Sequence, residues 1–317
     1  MSLTPVQLDR AVGAVVASAA ADALGSQYEF GPAHPDSFTP VFGIGYFGHD
    51  VGEWTDDTSM AIPILDALAR GESLDEPRVR AGIAKRWVDW AKTSKDVGAQ
   101  TSAVLSRIPE VFDESDARAA AEAVHMGAGR SGGNGALMRT GPVALGYVAA
   151  PASALVPATR ALSELTHWEP DSAAACILWS AAIRHAILTG ELDVRGQLPL
   201  LPADQAARWD MLIGETIGAH PRDFQETNGW VVRAFQGALA AVAGASSLTD
   251  AVERAIRGGN DTDTVGAIAG SLAGAVFGAS ALPTSWTAQL HGWPGYTAGD
   301  FAELAERAVL RADRSAG

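Results

Sequence analysis

Apolar residues recur at every third or fourth position over most of this 317-residue chain, which is the spacing that buries one face of a helix. The segments with this spacing are Leu8–Leu24, Met60–Arg70, Val79–Lys92, Ala117–His125, Ser172–Thr189, Ala206–Ile217, Gly229–Gly244, Leu248–Ile256, Val265–Gly278 and Ala298–Ala312. Alanine is abundant in them, and alanine favours helix. Phe38–Phe47 is the one candidate extended stretch, and Gly43 and Gly45 interrupt it. The pattern therefore predicts an all-α fold.

Two glycine-rich segments interrupt the helical pattern. Gly31–Gly52 is a long loop rich in glycine and proline, and Gly127–Gly141 is a second loop. A loop as long as the first is uncommon in a compact domain unless it is functional or disordered. The chain contains no low-complexity linker and no repeat period. We therefore predict one compact helical domain over residues 1–317.

The charge balance argues against one class of partner. The chain carries 23 lysine and arginine residues against 37 aspartate and glutamate residues, a formal net charge of −14. Non-specific binding to nucleic acid needs a basic face, and the most basic stretch, Arg78–Arg86, is typical of the solvated side of a helix.

The single cysteine, Cys176, lies in an apolar run and is expected to be a buried thiol. A reducing, cytoplasmic location fits it.

Two apolar stretches raise the question of a membrane. Ala11–Ala21 is uncharged and ends in small residues, but Asp9 and Arg10 precede it instead of a basic segment, so it does not fit a signal peptide. Thr264–Leu282 is long enough to span a bilayer and has glycines at four-residue spacing. It consists mostly of alanine and glycine, however, and aspartates adjoin its start. We predict a buried helix packed closely on a neighbour, and no membrane contact.

A first acidic cluster lies in Glu53–Ser59, immediately before a predicted helix that starts near Met60. Adjacent Asp56 and Asp57 are flanked by threonines and offer only hard oxygen ligands, which suit Mg²⁺, Mn²⁺ or Ca²⁺. The alternative is an N-cap, because a threonine or aspartate before a helix satisfies its free amides. This cluster alone leaves both interpretations open.

A second acidic cluster, Gly258–Thr264, also leads into an apolar helix. Asp261 and Asp263 stand two residues apart, and close carboxylates repel each other unless a cation or a proton neutralises them. This spacing favours a metal site. The two clusters are distant in sequence but share their composition and their position before a helix. We therefore predict that two helix N-termini converge and share cations.

The glycine-rich segment Gly127–Arg139 is a candidate anion site. Successive glycines allow backbone amides to point inward as a nest for phosphate. No Gly-Lys-Ser/Thr follows, and the strand-then-helix context of a dinucleotide motif is missing. A plain flexible turn is the alternative.

Six motifs together carry a family resemblance. They are Leu24–Glu29, Trp54–Thr58, Lys95–Gly98, Gly133–Arg139, Thr166–His167 and Gly259–Thr264. In this order they resemble the ADP-ribosylglycohydrolase family, which includes the dinitrogenase reductase-activating glycohydrolases. The resemblance extends from about residue 11 to residue 286. Each motif is weak alone, whereas six in order are highly specific.

The resemblance implies an all-α domain with two divalent cations, Mg²⁺ or Mn²⁺, in a cleft. The implied ligands of one ion are Thr55, Asp56 and Asp57, those of the other are Asp261 and Thr264, and Asp263 would bridge both. Glu29 matches the family's catalytic glutamate, and Asp56 and Asp96 are further catalytic candidates. Ser131, Gly132, Gly133, Asn134 and Gly135 would hold the diphosphate of the substrate, and His167 and Asp96 would line the ribose and leaving-group side of the cleft. A helix cap at His167 and a turn at Asp96 are their alternative roles.

One departure from the family pattern is Ala21, where members usually have glycine before Asp22; we expect it to affect helix packing only. No ligand position is lost, which disfavours an inactive relative. The implied function is metal-dependent hydrolysis that releases ADP-ribose from a modified protein or small molecule. The sequence leaves the acceptor open, as it does the choice between Mg²⁺ and Mn²⁺.

Two other functions share part of this sequence pattern. Asp261–Val265 fits a phosphatase motif of a metal-dependent phosphohydrolase, but that motif follows a buried strand early in an α/β domain. An ADP-ribose-binding module without turnover would need the same ligands but would not need Glu29.

Overall fold

The computed structural model describes residues 3–129 and 131–315, and helices dominate them. The helices are α1 Pro5–Gly25, α2 Asp56–Ala69, α3 Pro77–Ala91, α4 Ala99–Leu105, α5 Glu114–Ala128, α6 Val143–Gly146, α7 Leu155–Glu164, α8 Pro170–Thr189, α9 Ala203–Gly214, α10 Val231–Ala243, α11 Leu248–Arg257, α12 Thr262–Phe277, α13 Thr284–Thr287 and α14 Ala298–Ser315. Within this described part the strands are the antiparallel pair β1 His291–Gly292 and β2 Tyr296–Thr297. The all-α prediction is confirmed.

The first helix shows how local sequence fixes an element. Thr4 accepts a hydrogen bond from the Gln7 amide at 3.3 Å, and the Gln7 side chain accepts one from the Thr4 amide at 2.9 Å. This reciprocal capping, with Pro5 at the first helical position, defines where α1 begins. From Ala11 onward α1 is almost entirely buried, because other helices surround it.

Helices α1 and α12 pack with their backbones in close contact. A Cβ atom added at Gly270 would lie 2.5 Å from the carbonyl oxygen of Ala17, so only glycine fits there. The glycines at four-residue spacing thus face α1, and the predicted buried, closely packed helix is confirmed. The Thr262 hydroxyl donates to the Gly25 carbonyl at 2.9 Å. The end of α1 therefore lies beside the start of α12.

The buried apolar side chains form one continuous cluster, consistent with the predicted single domain. Cys176 is buried in it, as expected. Helix α8 is the one described helix that is long and apolar enough to cross a membrane, and 78% of its most apolar window is buried inside the protein. Such burial is typical of a core helix.

Several local predictions were wrong in detail. Phe38–Phe47 forms no strand: it is an irregular loop without a neighbouring strand, and the Tyr28 hydroxyl bonds to both the amide and the carbonyl of Val41 instead. Helix α2 begins at Asp56 rather than near Met60, so the first acidic pair lies inside the helix. Helix α7 was not predicted, although five of its ten residues are buried.

Candidate active site

Three helix ends meet and bring carboxylates together. Asp22 lies in the last turn of α1, Asp57 in the first turn of α2, and Asp263 in the first turn of α12. One carboxylate oxygen from each lies within 4.8 Å of those of the other two, and all three side chains are buried. The predicted convergence of two acidic clusters that are distant in sequence is thus present in the structure.

Asp22 is a residue of this cluster that the sequence alone did not single out. Its carboxylate accepts hydrogen bonds from the amide and the hydroxyl of both Thr55 and Thr58, at 2.6 to 3.2 Å. Asp22 therefore satisfies the amides at the start of α2 from a neighbouring helix. The N-cap alternative fails at Thr55, the residue that precedes α2, since its side chain makes no capping bond. One feature of the sequence does indicate this role of Asp22, because a carboxylate inside an alanine-rich helix needs buried polar partners.

Asp57 holds an unsatisfied oxygen in the middle of this cluster. The Thr55 hydroxyl oxygen lies 3.1 Å from its Oδ2 atom, whereas its Oδ1 atom is buried without a hydrogen-bond partner. An ionised oxygen without a partner is costly in a protein interior. A cation beside Oδ1 would remove that cost, so the cluster fits a metal site.

A second group of carboxylates adjoins the first and shares a member with it. Glu29, Asp261 and Asp263 each offer an oxygen within 4.8 Å of the other two. Asp263 belongs to both groups, and its Oδ1 atom accepts from the Thr264 amide at 2.8 Å. Two carboxylate groups that could each hold a metal ion thus have one carboxylate in common.

A backbone bridge holds Glu29 against the second acidic cluster. The Phe30 amide donates to the Asn260 carbonyl at 2.6 Å, and the Asn260 amide donates to the Gly31 carbonyl at 2.8 Å. Phe30 and Asn260 both have positive φ angles, of 59° and 60°, which non-glycine residues rarely adopt. Such strain is typical of functional segments, where the surrounding structure enforces it.

Burial and mutual repulsion raise the pKa values of the acidic side chains. The pKa of Glu29 rises to about 9 through burial and then through the charges of Asp261 and Asp96. The pKa values of Asp57 and Asp263 lie well above their usual range, mainly through burial, and that of Asp96 is about 6 for the same main reason. So many carboxylates ionise together only beside compensating positive charge.

These side chains open into a cleft of about 470 Å³. The residues predicted from the sequence that line it are Glu29, Asp56, Asp96, Gly133, Asn134, Gly135, His167, Asp261, Asp263 and Thr264. Two further predicted residues, Thr55 and Asp57, are buried and do not line it. Ser131 and Gly132 line a depression that shares Gly133 with the cleft. Gln100 also lines both and was not predicted.

The glycine-rich segment is tied directly to the acidic centre. The side-chain amide of Asn134 donates to Asp261 Oδ2 at 2.7 Å. Two backbone amides are used within the protein, since that of Gly133 donates to Gln100 Oε1 at 3.2 Å and that of Asn134 to the Gly229 carbonyl at 3.1 Å. A nest for an anion would therefore need donors in addition to these amides.

His167 and Asp96 lie on the cleft wall. His167 is 1% exposed, and burial together with the charge of Arg139 keeps its pKa well below the usual value, so the ring is neutral. Its side chain contacts Thr166 at 2.8 Å, and helix α8 begins after it without a side-chain cap, so the capping role is wrong. The turn contacts near Asp96 are made by Ser94, whose hydroxyl donates to the Asp96 carbonyl.

Comparisons with known proteins agree with this geometry. The family model described as ADP-ribosylglycohydrolase matches residues 3–316. The chain is 32% identical to an ADP-ribosylarginine hydrolase Tri1 of Pseudomonas putida (strain GB-1), over 97% of this chain and 81% of that protein. It is 28% identical to the ADP-ribosyl-[dinitrogen reductase] glycohydrolase of Rhodospirillum rubrum, over 89% of this chain and 90% of the relative.

A solved structure shares the fold as well. It is described as an ADP-ribosylglycohydrolase-related protein complex and superposes with a TM-score of 0.74 at 25% identity, covering 98% of this chain and 100% of that one. The helical architecture, the paired carboxylate groups and these matches over nearly the whole length agree. The chain belongs to the ADP-ribosylglycohydrolase family of hydrolases.

Proposed function

We propose that this enzyme hydrolyses the glycosidic bond between ADP-ribose and a modified acceptor, with divalent cations bound, and releases ADP-ribose. The observation that carries the proposal is the shared position of Asp263 in two carboxylate groups, Asp22–Asp57–Asp263 and Glu29–Asp261–Asp263, the second of which lines the cleft. The glycine-rich segment, joined to Asp261 through Asn134, lines the same cleft.

The proposed cofactors are two divalent cations, Mg²⁺ or Mn²⁺. Thr55, Asp56 and Asp57 would hold one and Asp261 and Thr264 the other, with Asp263 shared. The hard oxygen donors and the unsatisfied Oδ1 atom of Asp57 support this assignment.

Hydrogen bonds distinguish the residues of this set that could bind a cation from a residue that holds them in place. Thr55 has one hydroxyl proton, and its shorter contact, 2.7 Å, is to Asp22, which leaves its lone pairs for a cation. Asp22 already accepts from four donors and is better suited to fix Thr55 and Thr58 than to bind an ion.

When bound, the cations would orient the ribose hydroxyls and neutralise the crowded carboxylates. Glu29 would then be ionised and could orient and deprotonate the attacking water. Positive charge develops on the sugar as the bond breaks, and the carboxylates of Asp56 and Asp96 on the cleft wall would stabilise it. Gly133, Asn134, Gly135 and His167, together with Ser131 and Gly132 beside the cleft, would bind the diphosphate.

For the acceptor, we propose an arginine side chain of a protein. The names of two relatives, one an ADP-ribosylarginine hydrolase and one acting on dinitrogen reductase, support this assignment. The acidic cleft also suits a cationic guanidinium group. A cytoplasmic location is proposed with it, because the buried Cys176 thiol fits a reducing compartment.

A panel of ADP-ribosyl conjugates tests the function. We expect free ADP-ribose from the arginine conjugate in Mg²⁺ or Mn²⁺ and none in a chelator, with slower turnover of serine or nucleobase conjugates. Release of inorganic phosphate would indicate a phosphohydrolase, and tight binding without any release would indicate a binding module. Full activity in the metal-free enzyme would refute the role of the cations.

A further inference from the structure

Arg139 is a buried cation behind the wall of the cleft that contains His167. Its side chain is 1% exposed, and its hydrogen bonds go to Met60, Leu162 and Thr166 rather than to a carboxylate. It lies over the ring of Trp87 at 3.9 Å from the centroid. Burial lowers its pKa to about 9, so it is still charged at neutral pH. A buried charge of this kind is costly and calls for a specific role.

The hydrogen bonds of Arg139 lead towards the cleft. Its Nη2 atom donates to the Thr166 hydroxyl oxygen at 2.6 Å, and that oxygen lies 2.8 Å from His167 Nδ1. A guanidinium group can only donate, so Thr166 must accept from Arg139. With Arg139 on one of its lone pairs, the Thr166 hydroxyl can donate its own proton to Nδ1 of His167. In this arrangement the neutral His167 ring carries its single proton on Nε2.

The Nε2 atom lies on the edge of the His167 ring away from Thr166, and a proton there could be donated to a ligand. A Cβ atom added at Gly133 or at Gly135 would lie 3.2 Å from Nε2, so the ring edge borders the glycine-rich wall of the cleft. The backbone amides of Gly133 and Asn134 are already used within the protein. The Nε2–H group is thus a donor that this wall can offer to a ligand that only accepts.

We propose that Arg139 is a positioning residue that acts through Thr166 to hold His167 with its proton on Nε2, aimed at a phosphate oxygen in the cleft. The inference rests on the proposed function for the identity of the ligand. It predicts a property of the free enzyme, the tautomer of His167, that is independent of turnover.

Nitrogen NMR of the labelled enzyme tests the tautomer directly. In the wild type, His167 should show a protonated Nε2 and an unprotonated, hydrogen-bonded Nδ1, with signals assigned by their loss in His167→Gln. Thr166→Val removes the hydroxyl at nearly constant shape and should abolish this single-tautomer signature. The same variant should weaken ADP-ribose binding, measured by calorimetry, by about tenfold, a typical value for one hydrogen bond to a charged group.

Matched variants separate this role from general loosening of the core. Thr159→Val removes a buried hydroxyl that donates only to the Leu155 carbonyl at 2.7 Å, and it should change neither spectrum nor affinity. Thr166→Ser keeps the hydroxyl and should restore both. Arg139→Met should allow both tautomers, and Arg139→Lys should recover the wild-type one.

Three results would overturn the proposal: a proton on Nδ1 in the wild type, an unchanged His167 spectrum and ADP-ribose affinity in Thr166→Val, or an equal loss in Thr159→Val. The wild-type spectrum decides the matter even where a variant fails to fold. Failure of the proposed function would appear separately, as an enzyme with the correct tautomer that releases no ADP-ribose from any conjugate.

Discussion

At the scale of single residues, the two carboxylate groups depend unequally on their members. Asp263 belongs to both groups, whereas Asp57 belongs to one. We expect Asp263→Asn to weaken the binding of both cations at least tenfold, because it removes a negatively charged ligand from both groups. Asp57→Asn should weaken the binding of one cation only, because Asp57 belongs to one group. Titration with Mg²⁺ by calorimetry measures both. Exposed Asp204 in α9 provides the control, as Asp204→Asn should bind like the wild type. Equal loss of both ions in Asp57→Asn would argue against a shared carboxylate.

Glu29 should separate catalysis from binding. Glu29→Gln keeps the shape of the side chain but removes its charge and basicity, so turnover should fall by about 10²–10⁴-fold. ADP-ribose should still bind, because His167 and the glycine-rich wall are intact. The measurements are single-turnover release of ADP-ribose and calorimetric affinity. Exposed Glu306 on α14 offers the same substitution away from the cleft, and Glu306→Gln should be fully active. Wild-type turnover in Glu29→Gln would move the catalytic role to Asp56 or Asp96.

At the scale of elements, the contact between α1 and α12 sets the spacing of the site. At Gly270, an added methyl group would meet the Ala17 carbonyl at 2.5 Å. Gly270→Ala should therefore lower the free energy of unfolding by about 1–3 kcal/mol, as overpacking does. It should also weaken Mg²⁺ binding, since it pushes the helix of Asp22 away from that of Asp263. Urea unfolding and calorimetry measure the two effects.

Helix α3 contains a glycine that serves as the matched control. Nothing lies within 4 Å of a Cβ atom built at Gly82, which is exposed. Gly82→Ala should stabilise the protein by about 0.5–1 kcal/mol, because alanine loses less backbone entropy in a helix. Destabilisation of both variants alike would show that the effect at Gly270 is not one of close packing.

The same elements show how far the sequence predicts the structure. The long helices and the convergence of the acidic motifs follow from periodicity and composition, because helical burial repeats along the chain. The role of Asp22 is not predicted from the sequence, because its hydrogen-bond partners Thr55 and Thr58 are distant in sequence and only the fold brings them together. The start of α2 was predicted near Met60 rather than at Asp56 for a related reason. A polar residue such as Asp56 does not fit the pattern of a buried helix, and the carboxylate that supports this first turn comes from another helix.

At the scale of the whole molecule, the crowded carboxylates link stability to pH and to cations. A carboxyl group with a raised pKa binds more protons in the folded than in the unfolded state, so its contribution is complete below the unfolded pKa and is lost as pH rises. For Glu29 this window extends from about 4.5 to about 9. In a chelator, the melting temperature should therefore fall between about pH 5 and about pH 8, and added Mg²⁺ should raise it most at the higher pH.

Asp57→Asn provides the comparison for this effect. The amide removes one proton-linked group from the cluster, so the melting temperature in a chelator should depend less steeply on pH and lie above that of the wild type at the higher pH. Differential scanning calorimetry over the same range measures both slopes. Parallel curves for the two proteins would mean that Asp57 does not carry the linkage.

The pairing of α1 with α12 also bears on the order of events during synthesis. The hydrogen bond from Thr262 to Gly25 joins residues 237 positions apart, and contacts of such separation form slowly. A chain made from its N-terminus completes α1 long before α12 exists, so the small-residue face of α1 stays uncovered on the ribosome. Asp22 and Asp57 are likewise synthesised long before Asp263, the third carboxylate of their group. Any cation site built on these three carboxylates can therefore form only in the finished polypeptide.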